Sequence, residues 1–146
     1  MTVEARALLL APPEDVWKLL AEPYHLPDWW PGYQGVEPDR RGLATGARWR
    51  VVRGPTGAPT SGLLRRTGGV GTLVIGDVVE GRAIAWHDVE QRLDVRAAIQ
   101  PAAERRTEVK VALEAPGWRV VVEGLRPVPR KAARRLYDLC QTAAEL

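Results

Sequence analysis

The 146-residue chain has 45% hydrophobic and 27% charged residues, the composition of an ordinary single-domain globular protein. Its net charge of +3 is scattered along the sequence rather than gathered in a basic stripe, so we expect no nucleic-acid partner. The single cysteine, Cys140, excludes an internal disulfide and a cysteine-based metal site. No apolar run reaches the ~20 residues that span a bilayer, and no secretory leader is indicated. We therefore expect a cytoplasmic protein.

The N-terminal residues predict a strand followed by a helix. In Thr2–Leu10 apolar and charged side chains alternate, as is typical of a half-buried strand. Residues 11–15, Ala-Pro-Pro-Glu-Asp, are typical of a helix start. A proline in the first turn loses no hydrogen bond there, and the acidic pair faces the positive end of the helix dipole. The sequence Glu22-Pro23 ends this helix.

Residues 23–33, Pro-Tyr-His-Leu-Pro-Asp-Trp-Trp-Pro-Gly-Tyr, form an aromatic stretch in a chain that contains no Phe. Its three prolines exclude one long regular helix, so we predict a short second helix that ends at Pro31-Gly32. We expect Trp29 to anchor this helix in the core. We expect Trp30 or Tyr33 to contact a ligand.

From Tyr33 onward, short alternating runs are separated by Gly and Pro, which predicts six further strands. They are expected to be antiparallel because their connections are short. The predicted strands cover residues 33–41, 47–52, 72–79, 83–90, 92–100 and 106–115. Residues 54–62 are rich in Gly and Pro and predict a mobile loop, interpreted as a candidate gate, and 63–66 could extend a strand.

The C-terminal residues predict a long amphipathic helix over Pro127–Glu145. Its apolar side chains recur at helical spacing: Val128, Ala132, Leu136, Leu139, Cys140, Ala143 and Leu146. The apolar face of the sheet is the partner that this helix needs. Periodicity leaves residues 118–126 open between a helical turn and a strand.

In order, a strand, two short helices, six antiparallel strands and a long C-terminal helix make up the helix-grip arrangement. Two runs carry a resemblance to a known superfamily, Ala11–Trp17 (APPEDVW) and Leu26–Tyr33 (LPDWWPGY). Shorter matches lie at Gly46–Arg48, Ala83–Trp86 and Arg106–Val109. On these residues the chain resembles the SRPBCC (START-like) superfamily and, within it, the polyketide cyclase/dehydrase-like group.

The resemblance implies an α+β helix-grip fold in a single domain over residues 1–146. A curved antiparallel sheet of about seven strands would wrap around the C-terminal helix, with two short helices between the first two strands. Between sheet and helix it implies a deep apolar cavity. Members of the superfamily bind lipids, sterols or polyketides, a few catalyse cyclisation or dehydration, and some act as chaperone co-factors.

Three functions follow from these expectations. The first is binding of a small hydrophobic or aromatic molecule in the internal cavity. The alternatives are a polyketide cyclase/dehydratase-like enzyme acting in that cavity and a chaperone-activator-like interaction module. Whether the chain is an enzyme, and whether it is a monomer or a homodimer, stays open, because fold does not determine function.

Six aromatic residues are the candidates for ligand contact: Trp29, Trp30, Tyr33, Trp49, Trp86 and Trp118. By strand alternation Trp49 and Trp86 line the cavity if their faces of the sheet are the concave ones. The phenol of Tyr33 could orient a polar group of the ligand. Trp118, close to the final helix, is interpreted as a plug or as a ligand contact.

No catalytic motif or cofactor fingerprint is present, and we expect neither a cofactor nor a metal. His25 and His87 lie far apart in sequence, which is a poor basis for a metal site. His87 follows Trp86 and should face solvent; if it faced inward, it would be the best general acid or base. Asp77 and Asp88 lie on strands and are expected at solvated edges, whereas an inward carboxylate would suggest catalysis.

Overall fold

A computed structural model describes residues 1–54 and 69–145 of the chain, which form a curved antiparallel sheet with helices on its inner face. The strands are β1 (Thr2–Leu9), β2 (Tyr33–Glu37), β3 (Arg48–Arg53), β4 (Val70–Val79), β5 (Ala83–Asp88), β6 (Leu93–Pro101) and β7 (Thr107–Glu114). The helices are α1 (Pro13–Ala21), α2 (Leu26–Trp29), α3 (Gly117–Val122) and α4 (Pro127–Glu145), with a 3-10 turn over Pro23–His25.

The seven described strands form one sheet in the order β1-β7-β6-β5-β4-β3-β2. Every neighbouring pair except β1 and β7 is consecutive in the chain, as short connections predict. The helix-grip α+β fold predicted from the sequence is confirmed. Apart from Gly54, the predicted loop at 54–62 and the strand extension at 63–66 lie outside the described residues.

The second strand is shorter than its predicted span, since β2 ends at Glu37 rather than at residue 41. Pro38 has no N–H to donate to a neighbouring strand. The Asp39 carboxylate then accepts the backbone N–H groups of Arg41 and Arg48, each at 2.9 Å. These side-chain bonds replace the ladder and turn the chain into a loop.

Residues 118–126, for which periodicity did not distinguish a helical turn from a strand, begin with a helix, α3, that ends at Val122. Its inward side is formed by Arg119 and Val120, which are 7% and 0% exposed. Arg119 Nη1 donates to the backbone oxygen of Arg92 at 3.0 Å, and its Nε contacts the Glu123 carboxylate. This arginine therefore fixes α3 to the β5–β6 turn.

Helix α4 lies across β1 and β7 and reaches α2. Ala132, Leu136 and Cys140, predicted on its apolar face, are almost fully buried. Burial raises the pKa of the Cys140 thiol to about 11, with a further contribution from the charge of Asp15. The sheet is therefore the partner of this helix, as the pattern predicted.

The antiparallel registers bring several chain segments to the same end of the sheet. Tyr33, which begins β2, pairs with Arg53, which ends β3. Val52 of β3 pairs with Val70 at the start of β4, and Asp88 at the end of β5 pairs with Leu93 at the start of β6. Helix α3 follows β7 at this end, which we call the α3 end. The aromatic stretch before β2 also leads into it.

Candidate ligand-binding site

Four aromatic side chains lie against one another between α2 and the sheet, and we call them the aromatic cluster: Trp29, Trp30, Tyr33 and Trp86. Trp29 and Trp30 meet Trp86 with ring centroids 5.8 and 5.4 Å apart and interplanar angles of 73° and 86°. Such edge-to-face contacts are favourable because the positive ring edge meets the negative ring face. Trp30 also lies 6.2 Å from Tyr33, and all four side chains are buried.

The local sequence explains how consecutive residues reach one cluster. Trp29 ends α2 and Trp30 is its C-cap residue with an extended backbone, so the two rings point in different directions. Gly32 has φ of +93°, a conformation that favours glycine, and it turns the chain from α2 into β2. This turn brings Tyr33 back onto the same interior as the two tryptophans.

A polar network borders the aromatic cluster, and we define it as Tyr33, Arg53 and Asp88. Tyr33 Oη donates to Asp88 Oδ2 at 2.7 Å and accepts from Trp86 Nε1 at 3.3 Å. Arg53 Nη2 forms an ion pair with Asp88 Oδ1, which also accepts the Gln91 backbone N–H at 3.1 Å. The Asp88 side chain is fully buried and that of Arg53 is 10% exposed.

The network keeps its two donor groups protonated. Burial, followed by the charge and hydrogen bond of Asp88, raises the pKa of Tyr33 well above its ordinary value. Burial by itself lowers the pKa of Arg53, but the hydrogen bond and charge of Asp88 outweigh it, so the net shift is upward. At neutral pH Tyr33 is therefore a neutral phenol, and Arg53 is a cation.

Two N–H groups at this site are buried and have no hydrogen-bond partner among the described residues, Trp29 Nε1 and Arg53 Nε. An unpaired buried donor costs about 1–3 kcal/mol. Native proteins pair almost all such groups with protein atoms, water or a ligand. Trp29 Nε1, on a side chain that is 0% exposed, is thus a donor that needs an acceptor from outside the described chain.

The two strand tryptophans face the interior as alternation predicted. Trp86 belongs to the aromatic cluster. Trp49 is 3% exposed, but its indole N–H donates to the backbone oxygen of Gly42 at 2.8 Å, a bond that ties it to the β2–β3 loop. Its polar atom therefore has a structural partner already.

Trp118 lies apart from these residues, because it is 66% exposed on α3. The prediction that it forms a plug is wrong. Successive residues on a helix point about 100° apart, so turning Arg119 and Val120 inward turns Trp118 toward solvent. Its exposed ring lies on the outward side of α3, with Val121 and Val122.

The two histidines lie outside the aromatic cluster. Nδ1 of His25 is 3.1 Å from Asp28 Oδ2, and Nδ1 of His87 is 2.9 Å from Asp94 Oδ1. The side chain of His87 is 44% exposed, so the prediction that it faces solvent is confirmed. Over residues 1–54 and 69–145, no group of three or more His, Cys, Asp or Glu residues is placed to hold a metal ion.

The two strand aspartates behave differently. Asp77 is exposed as expected, because a bulge in β4 adds one residue between the pairs Ile75–Trp86 and Val78–Ile84. Asp88 contradicts the prediction of a solvated edge, being fully buried. Strand alternation could have predicted this burial. Asp88 lies two residues after the inward-facing Trp86, and residues two apart on a strand point to the same face.

Strand alternation would also have predicted that Arg53 points inward. It follows the inward side chains of Trp49 and Val51 at the same spacing, and period-2 alternation places all three on one face. Sequence reasoning discounts a charged residue at such a position because an unpaired buried charge is costly. The pairing that removes this cost comes from another strand, 35 residues away in the chain.

Two open depressions lie elsewhere on the described surface. One, of about 780 Å³, crosses the outer face of the sheet over the small residues Gly76, Ala85, Ala98 and Ala112. The other, of about 530 Å³, lies between α1 and the C-terminal part of α4, beside Leu19 and Leu139. Among the described helices, none is long and apolar enough to cross a membrane.

Residues 9–138 match the family described as polyketide cyclase / dehydrase and lipid transport. The chain belongs to this family. The matched span runs from the end of β1 into α4, so it contains the whole aromatic cluster and the polar network. The SRPBCC (START-like) resemblance is confirmed, and the fold is one that supports a ligand-binding cavity.

Solved structures share this fold at low sequence identity. A protein from Nitrosomonas europaea superposes with a TM-score of 0.73 at 16% identity, covering 100% of this chain and 97% of that one. For a START superfamily protein from Mycobacterium smegmatis the TM-score is 0.64 at 18% identity, covering 94% and 98%.

The di-domain ARO/CYC BexL from the BE-7585A biosynthetic pathway is also similar, with a TM-score of 0.69 and 17% identity. That comparison covers 94% of this chain and 45% of BexL. At these identities the likeness shows the fold alone. No curated protein matches the chain in sequence.

Proposed function

We propose that the protein, as one helix-grip domain, binds a small hydrophobic or aromatic molecule that carries a hydrogen-bond acceptor. The observation that carries this proposal is the buried N–H of Trp29 in the aromatic cluster, which has no hydrogen-bond partner among the residues that the structure describes. The ligand's apolar body would lie against the cluster, and its acceptor oxygen would meet Trp29 Nε1.

The aromatic cluster suits an apolar ligand because burying apolar surface contributes about 25 cal/mol per Å². A few placed polar groups in such a site usually fix the orientation of the ligand. Since Trp29, Trp30 and Trp86 are buried against one another, ligand binding requires that at least one ring turns aside. Membership of a family described by lipid transport as well as by cyclisation supports an apolar ligand.

The polar network favours binding over acid–base catalysis. Both oxygens of Asp88 already accept hydrogen bonds, and its charge is matched by Arg53. The phenol of Tyr33 donates its proton to Asp88, and its raised pKa disfavours ionisation. The ion pair with Arg53 and these hydrogen bonds stabilise Asp88 as a carboxylate, so it is a weak general base. A cyclase/dehydratase-like activity would therefore depend on the shape of the site rather than on these groups.

A matched pair of probes tests the acceptor. 2-Acetylnaphthalene and 2-ethylnaphthalene have the same ring system, but only the ketone can accept a hydrogen bond. We expect the ketone to bind more tightly to the wild-type protein, by roughly two- to tenfold, because a neutral hydrogen bond contributes about 0.5–1.5 kcal/mol. Dissociation constants are measured by isothermal titration calorimetry.

Trp29→Phe keeps an aromatic ring and removes the N–H, so it should reduce the preference for the ketone to near unity. Trp118→Phe is the control, because it makes the same chemical change on an exposed ring of α3. The proposal fails if neither probe binds, or if Trp29→Phe leaves the ratio of the two constants unchanged.

A further inference from the structure

The outward side of α3 carries three large apolar side chains in a helix of 6 residues. Trp118, Val121 and Val122 are 66%, 67% and 57% exposed. We call these three residues the α3 patch. Such a group of neighbouring exposed apolar residues is a mark of an interaction surface, whereas single ones are ordinary.

The exposure of the α3 patch follows from how the helix is anchored. Arg119 bonds to the β5–β6 turn through the backbone oxygen of Arg92, and Val120 is fully buried. These inward residues fix the rotation of the helix, and the remaining side chains must point outward. The patch is thus held in place by the fold.

Further exposed apolar residues lie at the same end of the sheet. Val70 begins β4 and Val89 follows β5, and they are 56% and 40% exposed. The backbone N–H of Val89 donates to Thr72 at 3.1 Å, which places these two segments side by side. The α3 end therefore offers more apolar surface than the α3 patch alone.

Positive charge accompanies this apolar surface. Arg92, Arg126, Arg130 and Lys131 are exposed around the ends of α3 and at the start of α4. The nearby acids Glu90 and Glu123 contact the buried arginines Arg53 and Arg119. Glu114 and Asp94, which lie opposite each other on β7 and β6, are also exposed, and the four exposed cations outnumber these two acids.

We propose that the α3 end docks onto a lipid membrane surface that contains anionic phospholipids. Trp118, Val121 and Val122 enter the headgroup region, and Arg126 with its basic neighbours contacts lipid phosphates. A tryptophan with apolar neighbours beside exposed cations is the pattern of segments that lie in a membrane interface. Each basic residue near an anionic surface adds attraction. This inference stands independently of the ligand proposed above.

Vesicle binding of the full chain tests the proposal. Co-sedimentation with vesicles of phosphatidylcholine and phosphatidylglycerol should exceed that with phosphatidylcholine alone, and added salt should weaken it. Trp118 is the only one of the six tryptophans that is more than 9% exposed. Acrylamide quenching of tryptophan fluorescence therefore reports its access to water, and anionic vesicles should suppress the quenching.

Two substitutions with matched controls locate the surface. We expect Trp118→Ala to weaken vesicle partitioning by about tenfold or more, as for loss of a buried apolar side chain. Arg126→Gln should weaken it about fivefold. Tyr24→Ala removes an aromatic ring that is 65% exposed elsewhere, and Arg40→Gln removes an exposed charge in the β2–β3 loop. Neither control should change partitioning.

Three results would overturn the inference. The first is no preference for anionic vesicles, and the second is an equal loss of partitioning in the variants and their controls. The third is self-association, seen by sedimentation velocity without lipid, that Trp118→Ala abolishes while vesicles leave the quenching unchanged. That outcome would assign the patch to contact between copies of the chain.

Discussion

Replacing Asp88 by Asn tests whether the polar network is held together by charge. Asn has nearly the same shape as Asp but no charge, so Arg53 would keep a positive charge in a site where its side chain is 10% exposed. The single NH2 group of Asn would also replace one of the two acceptor oxygens, so its N–H donors would face either Tyr33 Oη or the Gln91 N–H. The substitution therefore removes one partner of a buried ion pair and adds a clash of donors.

The expected cost of Asp88→Asn is about 3–5 kcal/mol, the usual penalty for leaving a buried charge uncompensated. Folded domains are stable by about 5–15 kcal/mol, so this loss is a large part of the total. Glu90 also contacts Arg53 at 3.3 Å, but its side chain is 42% exposed and its attraction is screened by water. We therefore expect a value toward the lower end of the range.

Urea unfolding followed by far-UV circular dichroism measures this cost, provided that the slope with denaturant stays constant. Asp94→Asn is the matched control, because Asp94 pairs with His87 at the surface and its side chain is 64% exposed. We expect the control to cost about 0–1 kcal/mol. Adding Arg53→Met to Asp88→Asn should recover part of the lost stability, since it removes the uncompensated positive charge. A cost for Asp88→Asn no greater than that of the control would refute the reasoning.

Two further predictions concern the same network. Because the fold keeps Tyr33 neutral while the unfolded chain ionises it above pH 10.0, its contribution to stability is complete below that pH and is lost as pH rises further. The free energy of unfolding, measured by urea titration at increasing alkaline pH, should thus fall more steeply in the wild type than in Tyr33→Phe; parallel curves would contradict this. Gly71→Ala should destabilise the fold by about 1 kcal/mol, because a Cβ there would displace the ends of the Arg53 and Glu90 side chains from each other and from the network. Gly69→Ala, with open space around it, should leave the thermal midpoint nearly unchanged, and equal effects of the two substitutions would argue against this displacement.

Apart from α3, the sequence by itself determined the order and type of the strands and of the main helices. Alternation in Thr107–Glu114 and the helical spacing in Pro127–Glu145 are local patterns, and the structure has a strand and a helix there. Proline and glycine at Pro31-Gly32 likewise ended α2 where expected. Such signals can be read from sequence because periodicity and backbone restriction act between residues close in the chain.

The sequence predicted only part of the arrangement of the six candidate aromatic residues. Trp29, Trp30, Tyr33 and Trp86 meet in one cluster, as their predicted inward positions allow. Trp118 was misplaced, since its direction depends on which side of α3 meets the β5–β6 turn. For a helix of 6 residues that choice is made by a tertiary contact, the bond of Arg119 to Arg92.

Only the tertiary structure decided the polar network. A charged residue in a sequence is expected to be exposed to water, because burying it without a partner costs on the order of several kcal/mol. Arg53 and Asp88 are buried because β2 begins where β3 and β5 end. There Tyr33, Gln91 and the opposite charge supply the missing partners. A partner 35 residues away leaves no local pattern. The same long-range packing leaves Trp29 Nε1 without an acceptor in residues 1–54 and 69–145, and the proposal of a ligand rests on this unpaired donor.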